Sequence, residues 1–322
     1  MNILITGIHG FVGTNLTSEL KASHNIYGLD IVAPEKEGVL KTYSWEALDK
    51  GEIPPVDAII HLAGKAHDTK NQSAAEAYFA VNTELTKKIF DYFLTSTTAK
   101  RFIFFSSVKA AADSVPGGEI LREDVVPAPV GPYGESKIRA EEYIQSRFDF
   151  GSDATGKQVF ILRPCMIHGP GNKGNLNLLY KVISRGIPYP LGAYENLRTF
   201  TSIDNLKFII SGLLTKDGVA SGIYHIADDD ALSTKQLVEA ISEGIGKKAS
   251  IWDMPKWLIG GIAKVGDVAK LPLNSERLRK LTENYIVSNE KIKRALGVER
   301  LPVKANEGIK ITIKSLKEYS IN

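Results

Sequence analysis

The chain predicts an α/β fold: a doubly wound parallel sheet followed by a smaller, mostly helical second domain. Short apolar runs recur at 3–5, 26–29, 58–62, 102–105 and 159–162, separated by stretches of helical spacing at 11–22, 74–94 and 133–148. The runs are continuous rather than alternating, as in strands covered on both faces. Their regular alternation with helices is the pattern of a parallel sheet with crossover connections.

Taken in order, 3–5 is the first strand, 11–22 its helix and 26–29 the second strand, with a weakly signalled third near 40–43. The long pattern 74–94 reads as one helix between the strands at 58–62 and 102–105, and 133–148 as the helix before 159–162. After Pro164 comes a loop rich in glycine and asparagine, 167–175, of the kind that builds pockets beyond the carboxyl ends of such sheets. A helix at 204–214 and a strand-like run at 222–227 return the chain toward the sheet, and the rest to residue 322 is helical and lysine-rich. Residues 1–165 are therefore assigned to one domain, rejoined by about 200–230, with 166–199 and 231–322 forming the other.

Composition bounds the function classes. The 322 residues carry 40 basic and 37 acidic side chains, a formal charge of +3 without a long basic block, so nucleic acid is not expected as a partner. The single cysteine, Cys165, suits a reducing compartment, and the first residues lack the basic and small-residue signals of a secretory leader. A cytoplasmic location follows as the expectation. The apolar segment 257–264 is too short to span a bilayer and contains Lys264, so no stable membrane insertion is expected and a helix packed on the core is the reading.

Gly7-Ile-His-Gly10-Phe-Val-Gly13 follows the first strand directly and opens a helix. Glycines there permit a tight turn and close approach of a pyrophosphate to free helix N–H groups. Asp30 ends the second strand, where a carboxylate accepts hydrogen bonds from adenosine ribose hydroxyls and repels a 2′-phosphate, favouring NAD over NADP. Tyr133 and Lys137 lie four apart in Tyr133-Gly-Glu-Ser-Lys137, on one helical face. A neighbouring ammonium favours ionisation of a phenol whose ordinary pKa is about 10, and so equips it for proton transfer.

Gly7-x-x-Gly10-Phe-x-Gly13, Asp30, His61-Leu-Ala-Gly64, Asn82, Ser106-Ser107, Tyr133-x-x-x-Lys137 and Arg163-Pro164 stand in the order and spacing of the extended short-chain dehydrogenase/reductases. The chain resembles their NAD-dependent epimerase/dehydratase branch, with UDP-glucose 4-epimerase-like members, best over residues 1–205. The resemblance implies a Rossmann-type NAD-binding domain, 1–165, and a nucleotide-sugar substrate domain, 166–199 and 231–322. It implies catalytic roles for Ser107, Tyr133 and Lys137. Gly7, Gly10, Phe11, Val12, Gly13, Asp30, Leu62, Ala63, Gly64, Asn82, Tyr133, Lys137 and Pro164 would contact NAD. Ser107, Asn175 and Arg198 would contact substrate, a UDP-linked sugar of polysaccharide biosynthesis. A homodimer is left open.

Departures narrow the chemistry. Dehydratases of the branch place an Asp-Glu pair after the catalytic hydroxyl residue, whereas Val108-Lys109 follow Ser107, so loss of water is not expected. Ser44 replaces a frequent aspartate near the adenine, and His168 a frequent tyrosine. His61, His67 and His168 lack the spacing of a metal site, none being expected, and Asp228-Asp-Asp230 reads as a solvated turn before a helix near Ser233. Three functions fit. The first is an NAD-dependent 4-epimerase of UDP-hexoses or UDP-N-acetylhexosamines, acting through a 4-keto intermediate. The others are an NAD(P)H-dependent 4-ketoreductase of a 4-keto-6-deoxy nucleotide sugar and, remotely, a non-catalytic dinucleotide sensor.

Overall fold

The computed structural model describes residues 1–65, 74–115, 118–151, 155–172, 174–269 and 274–321, excepting the side chains of Asn175, Tyr319, Ser320 and Ile321. His67 lies outside the described residues. The strands are β1 (Asn2–Thr6), β2 (Asn25–Leu29), β3 (Lys41–Tyr43), β4 (Ala58–His61), β5 (Arg101–Phe105), β6 (Ile120–Leu121), β7 (Gln158–Pro164), β8 (Met166–His168), β9 (Phe200–Ser202), β10 (Gly222–Ile226) and β11 (Ile286–Val287). The helices of the first half are α1 (Phe11–Leu20), α2 (Trp45–Asp49), α3 (Ala75–Tyr78), α4 (Leu85–Thr95), α5 (Val108–Ala111) and α6 (Gly131–Arg147). Those of the second half are α7 (Asn175–Ser184), α8 (Ile203–Thr215), α9 (Thr234–Gly244), α10 (Lys256–Ala269), α11 (Ser275–Thr282), α12 (Glu290–Leu296) and α13 (Ala305–Ile321).

Seven strands form one parallel sheet in the order β10-β7-β5-β4-β1-β2-β3. The order reverses between β1 and β4, and in such sheets the crevice at that reversal holds the ligand. Alternate strand residues face opposite cores. Ile3, Ile5, Ile60, Ile103 and Phe160 pack toward α8 residues Leu206, Ile209 and Leu213. Leu4, Ile59, Phe102, Phe104, Val159 and Ile161 pack toward Ile89, Phe90, Ala140 and Ile144 of α4 and α6. Both faces are thus dry, which is why the strands read as unbroken apolar runs. A third cluster joins α7, α9, α10 and α13 through Leu176, Ile183, Val238, Ile241, Ile259 and Ile309.

The expected single helix at 74–94 is divided. A π-helical stretch, Phe79–Glu84, separates α3 from α4. Wide π turns displace the backbone and recur at functional sites. Here the displaced turn carries Asn82 into the buried space beside α6.

Two further expectations are corrected. Of Asp228-Asp-Asp230, expected as a solvated turn, only Asp230 is exposed. Asp228 is buried and accepts from the Ser202 backbone N–H at 2.9 Å and from Asn205 Nδ2 at 2.7 Å. Asp229 accepts from Lys293 Nζ, Asn289 Nδ2 and the Leu301 N–H, each at 2.8 Å. Long-range donors brought by folding satisfy both carboxylates. Nor is α10 packed on the core across its width, for only Ile259, Ala263 and Gly266 are buried.

Candidate active site

The carboxyl ends of the parallel strands β1, β2, β4, β5 and β7 lie along one edge of the sheet. Gly7 holds φ at +66°, and a Cβ there would lie 2.9 Å from the Ala63 nitrogen. A Cβ on Gly13 would lie 2.6 Å from the Gly7 carbonyl oxygen. Only glycine lets the β1 turn press against the β4 loop while α1 starts directly upon it. The first turn of α1 has neither a side-chain cap nor an acidic residue, so its N–H groups are left for an anion. Asp30 stands beside this turn, accepting from the His9 N–H at 3.1 Å and the Ile31 N–H at 2.8 Å. An uncapped helix start, a glycine turn closed to any side chain and an adjacent carboxylate together fit the pyrophosphate and ribose of NAD.

Ser107 ends the β5 loop and caps α5, accepting from the Lys109 N–H at 3.2 Å. Its hydroxyl stands close enough to the Tyr133 phenol to draw the phenol's pKa down. A Cβ on Gly134 would come within 2.5 Å of the Lys109 carbonyl oxygen, so this glycine lets α6 lie against α5 closely enough for that contact. The importance of Gly134 was not read from the sequence, although it sits inside the tyrosine-lysine motif. Lys137 is buried one turn along α6 and donates to the Phe105 carbonyl at 2.8 Å. A Cβ on Gly64 would lie 3.1 Å from its Nζ, which places the ammonium at the β4 loop.

One expectation about this pair is corrected. Burial raises the Tyr133 phenol above its ordinary value, the nearby Ser107 hydroxyl only partly opposing this and Tyr78 adding to it. Tyr133 and Lys137 share a face, yet the ammonium is hydrogen-bonded to Phe105 and desolvation sets the direction of the phenol's shift. Burial also lowers Lys137, to about 8, with Glu141 opposing it.

Polar side chains fix α6 to the β4 loop. Asn82 accepts from the Lys65 N–H at 2.8 Å and donates to the Ser136 hydroxyl at 2.9 Å, while Ser136 donates to the Tyr133 carbonyl at 2.9 Å. Thr83 donates to the Ser136 carbonyl at 2.8 Å. His61 lies beneath. Thr6 Oγ1 accepts from the N–H groups of Leu62 and Ala63, at 3.1 and 2.9 Å, so its own proton goes to His61 Nδ1 at 2.7 Å. Thr86 donates to the Asn82 carbonyl at 2.7 Å and therefore accepts from His61 Nε2–H at 2.9 Å. The imidazole is thereby assigned as the neutral Nε2–H tautomer.

Glu141, one turn beyond Lys137, is a residue the sequence reading missed. It is buried and takes three contacts from Arg163: Nε at 3.0 and 3.1 Å, and Nη2 at 2.6 Å. Ser106 also donates to it. The sequence signal was available: Tyr133, Lys137 and Glu141 recur every four residues on one face, opposite the Arg163-Pro164 strand end.

The remaining sequence candidates lie toward the helical region. Arg198 pairs with Leu232 through backbone hydrogen bonds of 3.0 and 2.8 Å, and its guanidinium stands 3.6 Å from Glu283. Asn175 is the first residue of α7. Lys109 donates to the Asp113 carbonyl and carboxylate, at 2.7 and 3.0 Å, and lies over the Tyr285 ring. Ser44 caps α2, accepting from the Ala47 N–H at 3.2 Å. Cys165 is buried beside Thr199, and burial pushes its thiol up to about 12, which leaves it inert. His168 is buried against Thr312, with Nδ1 2.9 Å from its hydroxyl.

Burial holds His61 and His225 down at about 3, with Lys137 pressing His61 and Arg163 pressing His225 the same way. Unfolded histidines titrate near 6.5, so the unfolded chain binds up to two more protons from these sites between about pH 6.5 and about 3. Their stabilising effect is complete above about pH 6.5 and is lost as pH falls. Urea midpoints measured from about pH 7.5 down to about pH 5.5, where carboxylates stay ionised, are expected to decline. A flat profile would contradict the buried neutral imidazoles.

The model of the NAD dependent epimerase/dehydratase family matches residues 3–227. The UDP-glucose 4-epimerase of Vibrio cholerae is 31% identical over 263 residues, 79% of this chain and 78% of that protein. An N-acetyl-alpha-D-glucosaminyl-diphospho-ditrans,octacis-undecaprenol 4-epimerase of Escherichia coli O157:H7 is 28% identical over 258 residues, 79% of this chain and 75% of that protein. Among solved structures, MoeE5 in complex with UDP-glucose and NAD superposes with a TM-score of 0.75 at 20% identity, covering 100% of both chains.

Proposed function

This chain belongs to the NAD-dependent epimerase/dehydratase family, and from that premise we propose that it is a nucleotide-sugar 4-epimerase acting on a UDP-hexose or UDP-N-acetylhexosamine. One observation carries the reading: the Ser107 hydroxyl stands close to the Tyr133 phenol where the β5 loop meets α6, with Lys137 one turn further on and its ammonium at Gly64 of the β4 loop. NAD, when bound, supplies the two-electron acceptor and donor that a 4-keto intermediate requires. The residues that would hold it are Gly7, Gly10, Phe11, Val12, Gly13, Asp30, Leu62, Ala63, Gly64, Asn82, Lys137 and Pro164.

Each residue of the chain then has a task. Ser107 orients the sugar hydroxyl and passes its proton toward Tyr133. Tyr133 exchanges that proton with the C4 oxygen, first removing it and later returning it. Lys137, protonated below about pH 8, places a positive charge that favours the phenolate, the form of Tyr133 able to accept the sugar proton. Arg198 and Asn175 would meet the diphosphate, for which a guanidinium fork suits two oxygens at once. Val108 and Lys109 supply no acid to a departing 6-hydroxyl, so water is retained.

The test is interconversion of UDP-glucose with UDP-galactose, or of their N-acetylated forms, by purified protein without added cofactor. Product formation with NAD recovered from the protein is expected. Absence of interconversion, with one NAD(P)H consumed per 4-keto-6-deoxy sugar, would move the assignment to the ketoreductase. A second reading keeps the chemistry but places the sugar on a polyprenyl diphosphate, the kind of substrate named for the Escherichia coli relative. The exposed apolar side of α10 favours it.

A further inference from the structure

The outer side of α10 is apolar and faces solvent. Trp257 is 77% exposed, Val265 61% and Val268 87%, and Leu258, Gly261 and Ile262 line a shallow recess with Trp257 and Val265. Trp252, on the adjoining segment hydrogen-bonded to Tyr189, is 56% exposed. Two of the chain's three tryptophans therefore stand in water within six residues of each other. Soluble surfaces scatter single apolar residues, whereas a continuous stripe of this kind marks an interaction site.

Charge indicates what covers it. Residues 247–280 contain eight lysines and arginines against three acidic residues, a net of +5 where the whole chain carries +3. Lys256 and Lys264 lie on α10 itself, and α11 packs beside it bearing Arg277, Arg279 and Lys280 with no buried residue. A two-fold contact with a second copy would oppose two such positive regions. An anionic bilayer complements them, and indole rings favour the headgroup layer. Among the described residues no helix is long and apolar enough to cross a membrane, so α10 would lie in the interface plane.

We propose that α10, with Trp252 and the flanking basic residues, is a docking surface for anionic phospholipid bilayers. α11 connects it to the candidate substrate region, since Asn196 donates to the Leu281 carbonyl at 3.3 Å, two residues before Arg198. Docking would present that region to the membrane surface. The proposal agrees with the lipid-linked reading above but does not depend on it, because vesicle binding needs no turnover.

The experiment is flotation of the full chain with vesicles of phosphatidylcholine alone or with about 30% phosphatidylglycerol, alongside tryptophan fluorescence. Flotation with the anionic vesicles and a blue-shifted emission are expected, both weakening as salt rises from about 0.1 M to about 1 M and the Debye length falls from ~10 to ~3 Å. The double variant Trp257→Glu/Val265→Glu is expected to lose vesicle binding more than tenfold while keeping its circular dichroism and its turnover of a water-soluble UDP-sugar. Failure to float with either composition, or equal flotation of the double variant, overturns the proposal. Concentration-dependent dimers that the double variant abolishes, without vesicle binding, would assign the face to a second copy instead.

Discussion

Tyr133→Phe is expected to lower kcat by about 10²- to 10⁴-fold, the usual contribution of a positioned acid–base group. The ring remains, so the edge-on contact with Tyr78, at 6.3 Å between centroids, survives and KM and the urea midpoint should change little. Steady-state kinetics on the interconverted UDP-sugars, with a denaturation curve for the same preparation, provide the check. A variant with unchanged kcat would remove Tyr133 from the chemistry. The pH dependence carries further information. Because burial raises the phenol and lowers Lys137 to about 8, the group of the pair that titrates nearest neutrality is the ammonium. Loss of activity on the alkaline side near pH 8 would therefore report Lys137.

Glu141→Ala is expected to cost about 3–5 kcal/mol of stability, the range for removing one partner of a buried ion pair. Arg163 would remain fully buried, and its Nη1 already lacks a hydrogen-bond partner. Urea denaturation measures the loss, and a cost below about 1 kcal/mol would contradict the burial of this pair. Glu141→Leu combined with Arg163→Leu is expected to recover much of it, since an apolar pair leaves no stranded charge. A functional signature separates this from general damage. Glu141 raises Lys137 against the effect of burial, so its removal should lower the ammonium's pKa further and move the alkaline limb of the rate profile to lower pH.

Local grammar made much of the site legible. The glycine turn is written in consecutive residues, and the positions of Asp30, Ser107 and Pro164 follow from each apolar run ending where its strand ends. Tyr133 and Lys137 could be paired because helical spacing puts residues four apart on one face. Glu141 obeys the same spacing but was hidden, because an acidic residue in a helix ordinarily faces water and its partner Arg163 lies on another strand. Asp228 and Asp229 misled for a similar reason: their donors come from as far as Lys293 and Leu301. The π turn that positions Asn82 has no composition of its own, for Phe79 to Glu84 would serve equally in a regular helix.

By itself, then, the sequence determined the parallel doubly wound sheet, the glycine turn and the candidate reacting side chains, all properties of short segments whose period or backbone freedom is intrinsic. Tertiary structure decided the protonation and environment of those side chains. It raised the Tyr133 phenol by burial, held His61 neutral between Thr6 and Thr86, and joined Glu141 to Arg163 across α6 and β7. It also left one face of α10 in solvent that the sequence reading had assigned to the core. Desolvation and long-range pairing depend on which surfaces meet, and the chain settles that only when it folds.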